Sequence, residues 1–144
     1  EFPAEVRGVP VFLTEQYTKG LGATIPEVLG KIEAPAVFHK EHFSACLEKD
    51  FLPFVCSFGR ETIVLVGMET HVCVLQTGLD LIRAGFKVHL VADAVGARSD
   101  RNRDIAIDLF RQAGAVITST EIVIFQWARR ANTEAFRKVL PIVK

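Results

Sequence analysis

The chain predicts an α/β fold, a mostly parallel sheet covered by helices on both faces in three layers. Two observations carry that expectation. Short apolar runs without polar alternation recur along the chain, as strands buried on both faces do. Between them lie helical patterns closed by glycine, so strands and helices alternate. A third observation concerns placement: Lys40, Cys73 and Asp93 each fall at or just past the carboxyl end of an expected strand, where open α/β sheets build their sites.

Val9-Pro10-Val11-Phe12-Leu13 reads as the first strand, followed by polar Thr14-Glu15-Gln16. Lys19 to Pro26 contains Gly20, Gly22 and Pro26 and reads as a long loop. Ala36-Val37-Phe38 is a second strand ending at His39-Lys40, and Ser44 is placed to cap a short helix through Leu47. Pro53 breaks or restarts the segment that follows. Ile63 to Val66 is the third strand. A helix from His71 to Ala84 closes at Gly85. Val88 to Val91, a helix from Arg101 to Ala113 closed by Gly114, and Val116-Ile117 continue the alternation. Thr118-x-x-Glu121 matches a capping box opening a helix through Arg130, and a last helix spans Thr133 to Leu140.

The most informative segment is Gly67-Met68-Glu69-Thr70-His71-Val72-Cys73. It joins the third strand to a helix through a sharp turn. With Thr70 as N-cap, Cys73 occupies the first helical turn, among unsatisfied N–H groups and the positive end of the helix dipole. Both favour thiolate, the nucleophilic form. On spacing alone, a small buried hydrophobe is an equal reading of Cys73.

That segment, extended through Val74-Leu75-Gln76-Thr77, resembles the nucleophile motif of the isochorismatase-like cysteine hydrolases, a superfamily that includes nicotinamidases. Val91-Ala92-Asp93-Ala94 with Arg98-Ser99, and Thr118-Ser119-Thr120-Glu121 with Phe125-Gln126, are similar to later parts of the same pattern. Thr14-Glu15-Gln16-Tyr17 and Lys19-Gly20-Leu21-Gly22 resemble its isochorismatase-domain-containing subgroup. The resemblance covers nearly the whole chain and implies a single domain over residues 1–144.

It also implies a set of roles. Cys73 attacks an amide or related carbonyl and forms a thioester. Lys40, an ordinary solvated lysine if read without the resemblance, supplies positive charge to thiol and oxyanion. The Met68–Glu69 peptide is cis, and the N–H groups of Glu69 and Cys73 form the oxyanion hole. Glu15, Tyr17, Met68, Thr70 and His71 complete the candidate pocket, although Glu15 and Tyr17 are equally readable as facing solvent. The family's aspartate, in an Asp-x-Gln at the end of a central first strand, has no counterpart in residues 1–8. Glu1-Phe2 is what a common cloning site encodes, or a native pair. The expectation is therefore an upstream strand carrying the aspartate, or else a catalytically dead chain.

Bulk properties narrow the remaining classes. The 144 residues suffice for one core, and Lys+Arg and Asp+Glu both number 17. That balance disfavours nucleic acid or an anionic membrane as partner. Three cysteines without scaffold spacing favour a reducing cytoplasm. His39, His42 and His71 do not make a metal set, so no metal and no cofactor is expected. Asp93 is assigned to loop organisation, and Cys46 and Cys56 to packing. The expected partners are a small-molecule substrate and further copies of the chain, because the late helices carry Ile122, Ile124, Phe125, Trp127, Phe136, Leu140 and Ile142. The rival readings are a non-catalytic interaction subunit of the same fold and a thiol redox protein using Cys73.

Overall fold

A computed structural model describes residues 8–143. The chain is α/β with parallel sheets, and it divides into two compact units. One comprises the residues up to Glu41 together with those from Glu121 onward; the other runs from His42 to Thr120.

In the first unit, β1 (Phe12–Gln16) and β2 (Ala36–Lys40) pair in parallel, from Phe12 opposite Ala36 to Gln16 opposite Lys40. The first strand thus starts three residues later than its apolar run. Pro10 has no N–H to donate to a ladder, and the partner strand begins only at Ala36. Phe12 and Phe38 meet edge-on, their ring centres 6.5 Å apart. The expected loop between these strands contains two single-turn helices, α1 (Thr18–Leu21) and α2 (Pro26–Leu29). Four residues are too few to show a helical period. Proline stands at the start of α2, where its missing N–H is no loss.

The second unit is built on β3 (Thr62–Met68), β4 (Lys87–Gly96) and β5 (Val116–Thr118), parallel and adjacent in that order. Its chain first makes a 3₁₀ turn at Ala45–Leu47 and α3 (Phe51–Ser57), with Pro53 tolerated in the first turn. The crossover from β3 to β4 is a π turn, Thr70–Val74, running into α4 (Leu75–Arg83); that from β4 to β5 is α5 (Asp100–Gln112). Both crossover helices end in the same motif. After α4, the N–H of Gly85 donates to Ile82 O and that of Phe86 to Leu81 O; after α5, Gly114 and Ala115 repeat this onto Arg111 and Phe110. Gly85 and Gly114 have φ of 94° and 92°, which glycine adopts without a Cβ penalty.

The core of this unit follows from strand position. β4 lies between two strands, and Val88, Leu90, Val91 and Val95 are buried, Leu90 completely. Phe110 of α5 is completely buried as well. It reaches α4 at Gly78, where an added Cβ would stand 2.2 Å from its ring. β3 is an edge of its sheet among the described residues, and Val66 and Met68 are exposed. The strand expected upstream, with its aspartate, lies outside the described residues.

The last elements are α6 (Thr120–Ala128), α7 (Glu134–Val139) and a 3₁₀ turn at Leu140–Ile142. Thr133 caps α7 by accepting from the Phe136 N–H at 3.1 Å. The expected capping box at Thr118 is not formed. Thr118 is the last residue of β5, opposite Val91, and its buried hydroxyl has no hydrogen-bond partner. Pairing with β4 extends the strand through that position.

Candidate active site

β3 delivers the motif segment. Gly67 has φ 109°, a conformation open to glycine, and the Met68–Glu69 peptide is cis. Glu69, in extended conformation, precedes the helical residues, so the N-cap expected at Thr70 falls one residue earlier. Thr70 is fully buried and uses its hydroxyl elsewhere, donating to Gly96 O at 2.9 Å at the end of β4. The Glu69 carbonyl accepts from the N–H groups of Val72 and Val74, the second bond spanning five residues and giving the turn its π character. Single π turns of this kind recur at functional sites. Cys73 lies inside this turn and is half-buried.

The Glu69 side chain holds the next loop. Its Oε1 accepts from the Arg98 backbone N–H at 3.0 Å, and Oε2 lies 3.8 Å from Arg98 Nε and 4.0 Å from His71 Nε2. The Nδ1 of His71 is buried without a hydrogen-bond partner. Nothing in local sequence pattern signals a bond between residues 29 apart. Asp93 has the organising role expected of it. It lies where β4 bulges between Leu90 and Val95, and its Oδ1 accepts from Thr120 N at 2.8 Å and Thr120 Oγ1 at 3.1 Å, fastening the start of α6.

The other two cysteines differ from Cys73 and from each other. None of the three is in a disulfide. Cys46 donates to Thr77 O at 3.7 Å, and burial pushes its thiol up to about 11. Cys56 is exposed, which corrects its assignment to packing: it follows buried Val55 on the outer face of α3. Around Cys46, the Ser44 hydroxyl donates to Asp80 Oδ2 at 2.7 Å instead of capping the turn after it, and the Ala45 N–H donates to Thr77 Oγ1 at 3.0 Å.

The first unit holds Glu15, Tyr17 and Lys40 of the expected set; the second holds Met68, Glu69, Thr70, His71 and Cys73. Lys40 is buried and donates from Nζ to Gln16 Oε1, its register neighbour on β1. A charge so placed is held in one position, unlike that of a solvated lysine. Glu15 is buried too. The Thr24 backbone N–H, 2.8 Å from Oε1, holds its carboxyl below the usual range, and His39 Nδ1 lies 3.3 Å from Oε2. Tyr17, with φ 38°, is exposed, as is Met68. Among the described residues no group of three or more His, Cys, Asp and Glu side chains is arranged to hold a metal ion. No helix of the described residues is long and apolar enough to cross a membrane.

A strand, a cis-peptide turn and a cysteine in the turn that opens the next helix, in a parallel α/β fold, define the class. The isochorismatase domain profile matches residues 3–122, and the chain belongs to this family of isochorismatase-like hydrolases. It is 41% identical over 145 residues to the secreted isochorismatase effector Isc1 of Phytophthora sojae, covering 98% of this chain and 69% of that protein. Among solved structures, it is similar to the MAR1 ribonuclease from Caenorhabditis elegans, with TM-score 0.89 and 36% identity over 98% of this chain and 72% of that one. It is likewise similar to YcaC from Pseudomonas aeruginosa, solved with hexane-2,5-diol and covalent acrylamide, with TM-score 0.88 and 28% identity over 96% and 70%.

Proposed function

We propose that the protein is a cysteine-dependent hydrolase of a small amide or related C–N or C–O bond, acting through a thioester on Cys73. The observation that carries this reading is the placement of Cys73 in a π turn at the carboxyl end of β3, where the chain enters the next helix. The sulfur adds to the carbonyl carbon, and the N–H groups of Glu69 and Cys73 take the charge on its oxygen. Collapse expels the amine or alkoxide with a proton, and water then cleaves the thioester. The family resemblance adds Lys40 to the proposed set as its cationic member. The covalent acrylamide of the Pseudomonas aeruginosa neighbour supports a reactive nucleophile on this fold, since acrylamide is an electrophile that thiolates take up readily.

The reading includes a homo-oligomer, because Ile122, Phe125 and Ile142 are exposed apolar residues of the late helices. It places the protein in a reducing compartment, where a reactive thiol persists. A second reading, cleavage of RNA, has the name of the Caenorhabditis elegans neighbour behind it. The charge balance of 17 against 17 weighs against it, because phosphate binding calls for a cationic surface.

Turnover of a panel of small amides, with an RNA substrate alongside, tests the choice. Amide hydrolysis abolished by Cys73→Ala is expected. Amide turnover surviving that change, or RNA cleavage alone, would overturn the proposal.

A further inference from the structure

We infer that the Glu69 side chain is a positioning residue, a clamp that fixes the turn carrying Cys73 onto the loop after β4. The inference rests on the reading of Cys73 as the nucleophile and gives the Glu69 side chain a role in setting the geometry of that residue. Two consecutive residues of the turn reach the same short segment. Thr70 Oγ1 donates to Gly96 O at 2.9 Å, and Glu69 Oε1 accepts from the Arg98 N–H at 3.0 Å. Met68 stands opposite Gly96 in the sheet register, so these two bonds continue the β3–β4 pairing beyond the last ladder position. They do so where backbone pairing has stopped and the chain turns through a cis peptide.

The clamp works through the backbone of the loop. Arg98 Nε is 3.8 Å from Oε2 and the guanidinium is largely exposed, so that ion pair is long and screened. The N–H contact, at 3.0 Å, is within hydrogen-bond distance and has a carboxylate oxygen as acceptor. A turn held at both Glu69 and Thr70 presents its peptide N–H groups and the Cys73 sulfur in one arrangement, which is what preorganised stabilisation of a developing charge requires. A turn held at one point only does not.

The arrangement distinguishes three substitutions. Glu69→Ala removes the acceptor. Glu69→Gln keeps a carbonyl oxygen in its place. Arg98→Ala removes the guanidinium and keeps the N–H. Two readouts apply to the full chain: hydrogen exchange at the Arg98 amide, and the rate of Cys73 alkylation by iodoacetamide against pH. In Glu69→Ala the Arg98 amide is expected to exchange about tenfold faster, and the Cys73 rate–pH profile to move. Glu69→Gln and Arg98→Ala are expected to stay within about threefold of the parent in both. Glu69→Asp, one methylene short of reach, follows Glu69→Ala and replaces it should the alanine variant not fold. An Arg98 amide unaffected in Glu69→Ala, where the acceptor is gone, overturns the clamp, and so does an Arg98→Ala variant as impaired as Glu69→Ala. Amide exchange reads the clamp whether or not Cys73 is the nucleophile. Alkylation that ignores Cys73 in the parent protein would instead count against the proposed function.

Discussion

Gly78→Ala is the substitution on which helix propensity and packing disagree most sharply. Gly78 lies inside α4, where alanine is favoured over glycine by about 1 kcal/mol. Its missing side chain is filled by a neighbour. An added Cβ would lie 2.2 Å from Phe110 Cε1, 2.6 Å from Phe110 Cζ and 3.0 Å from Leu65 Cδ1. Phe110 is completely buried, so its ring has no solvent side to retreat to. Relieving contacts more than an ångström too short in a closed core belongs at the upper end of overpacking penalties, about 3 kcal/mol. Setting the propensity gain against that leaves a loss of about 2 kcal/mol. In a domain of this size the midpoint of thermal unfolding should fall by roughly 4–8 °C. Differential scanning calorimetry measures it. Combining Gly78→Ala with Phe110→Leu should give less than the sum of the two losses, because they share one contact. A Gly78→Ala variant as stable as the parent, or more so, would refute the packing argument.

Other outcomes follow from the same structure. Cys46, with its thiol pushed to about 11 against an ordinary 9.0, should be alkylated at pH 7 about a hundredfold more slowly than an unperturbed thiol, the gap closing as the pH approaches 11; labelling with peptide mapping checks this. Glu15 has its carboxyl lowered by the Thr24 N–H, so it contributes stability above its ordinary value of 4.5 that is lost as pH falls through the lower folded value. Urea midpoints measured from pH 7 down to pH 3 should therefore fall less steeply in Glu15→Gln than in the parent. Ser44→Ala leaves Asp80 Oδ2 without its buried donor and should lower stability by roughly 1–3 kcal/mol in urea unfolding.

The strands were legible wherever apolar runs stand, because strands of a parallel sheet covered by helices need no polar alternation, as in β4 with Val88, Leu90 and Val91 buried. The run Ile63-Val64-Leu65-Val66 was legible too, although it forms an edge strand among the described residues, with Val66 exposed. Strand ends were not. β3 and β4 run on to Met68 and Gly96, where cross-strand register, not residue type, decides the boundary. Gly85 and Gly114 marked helix ends correctly because their conformation is local. Thr70 and Thr118 misled for the converse reason. Each has the side chain of a cap, yet the hydroxyl of one is drawn to Gly96 and the other residue is drawn into a strand. In the candidate site, the cysteine turn and the cis peptide were anticipated from the motif. The burial of Lys40 and Glu15 and the Glu69–Arg98 bond were not, since each depends on a residue distant in sequence.

The central claim is that Cys73 carries the acyl group. Intact-protein mass spectrometry after acid quench, in the presence of small amides and the corresponding activated esters, reads this directly. The expected result is a single acyl adduct that maps to Cys73, is released by hydroxylamine and is absent from Cys73→Ala. An adduct on the exposed Cys56, or turnover without any adduct in a chain lacking Cys73, would contradict it.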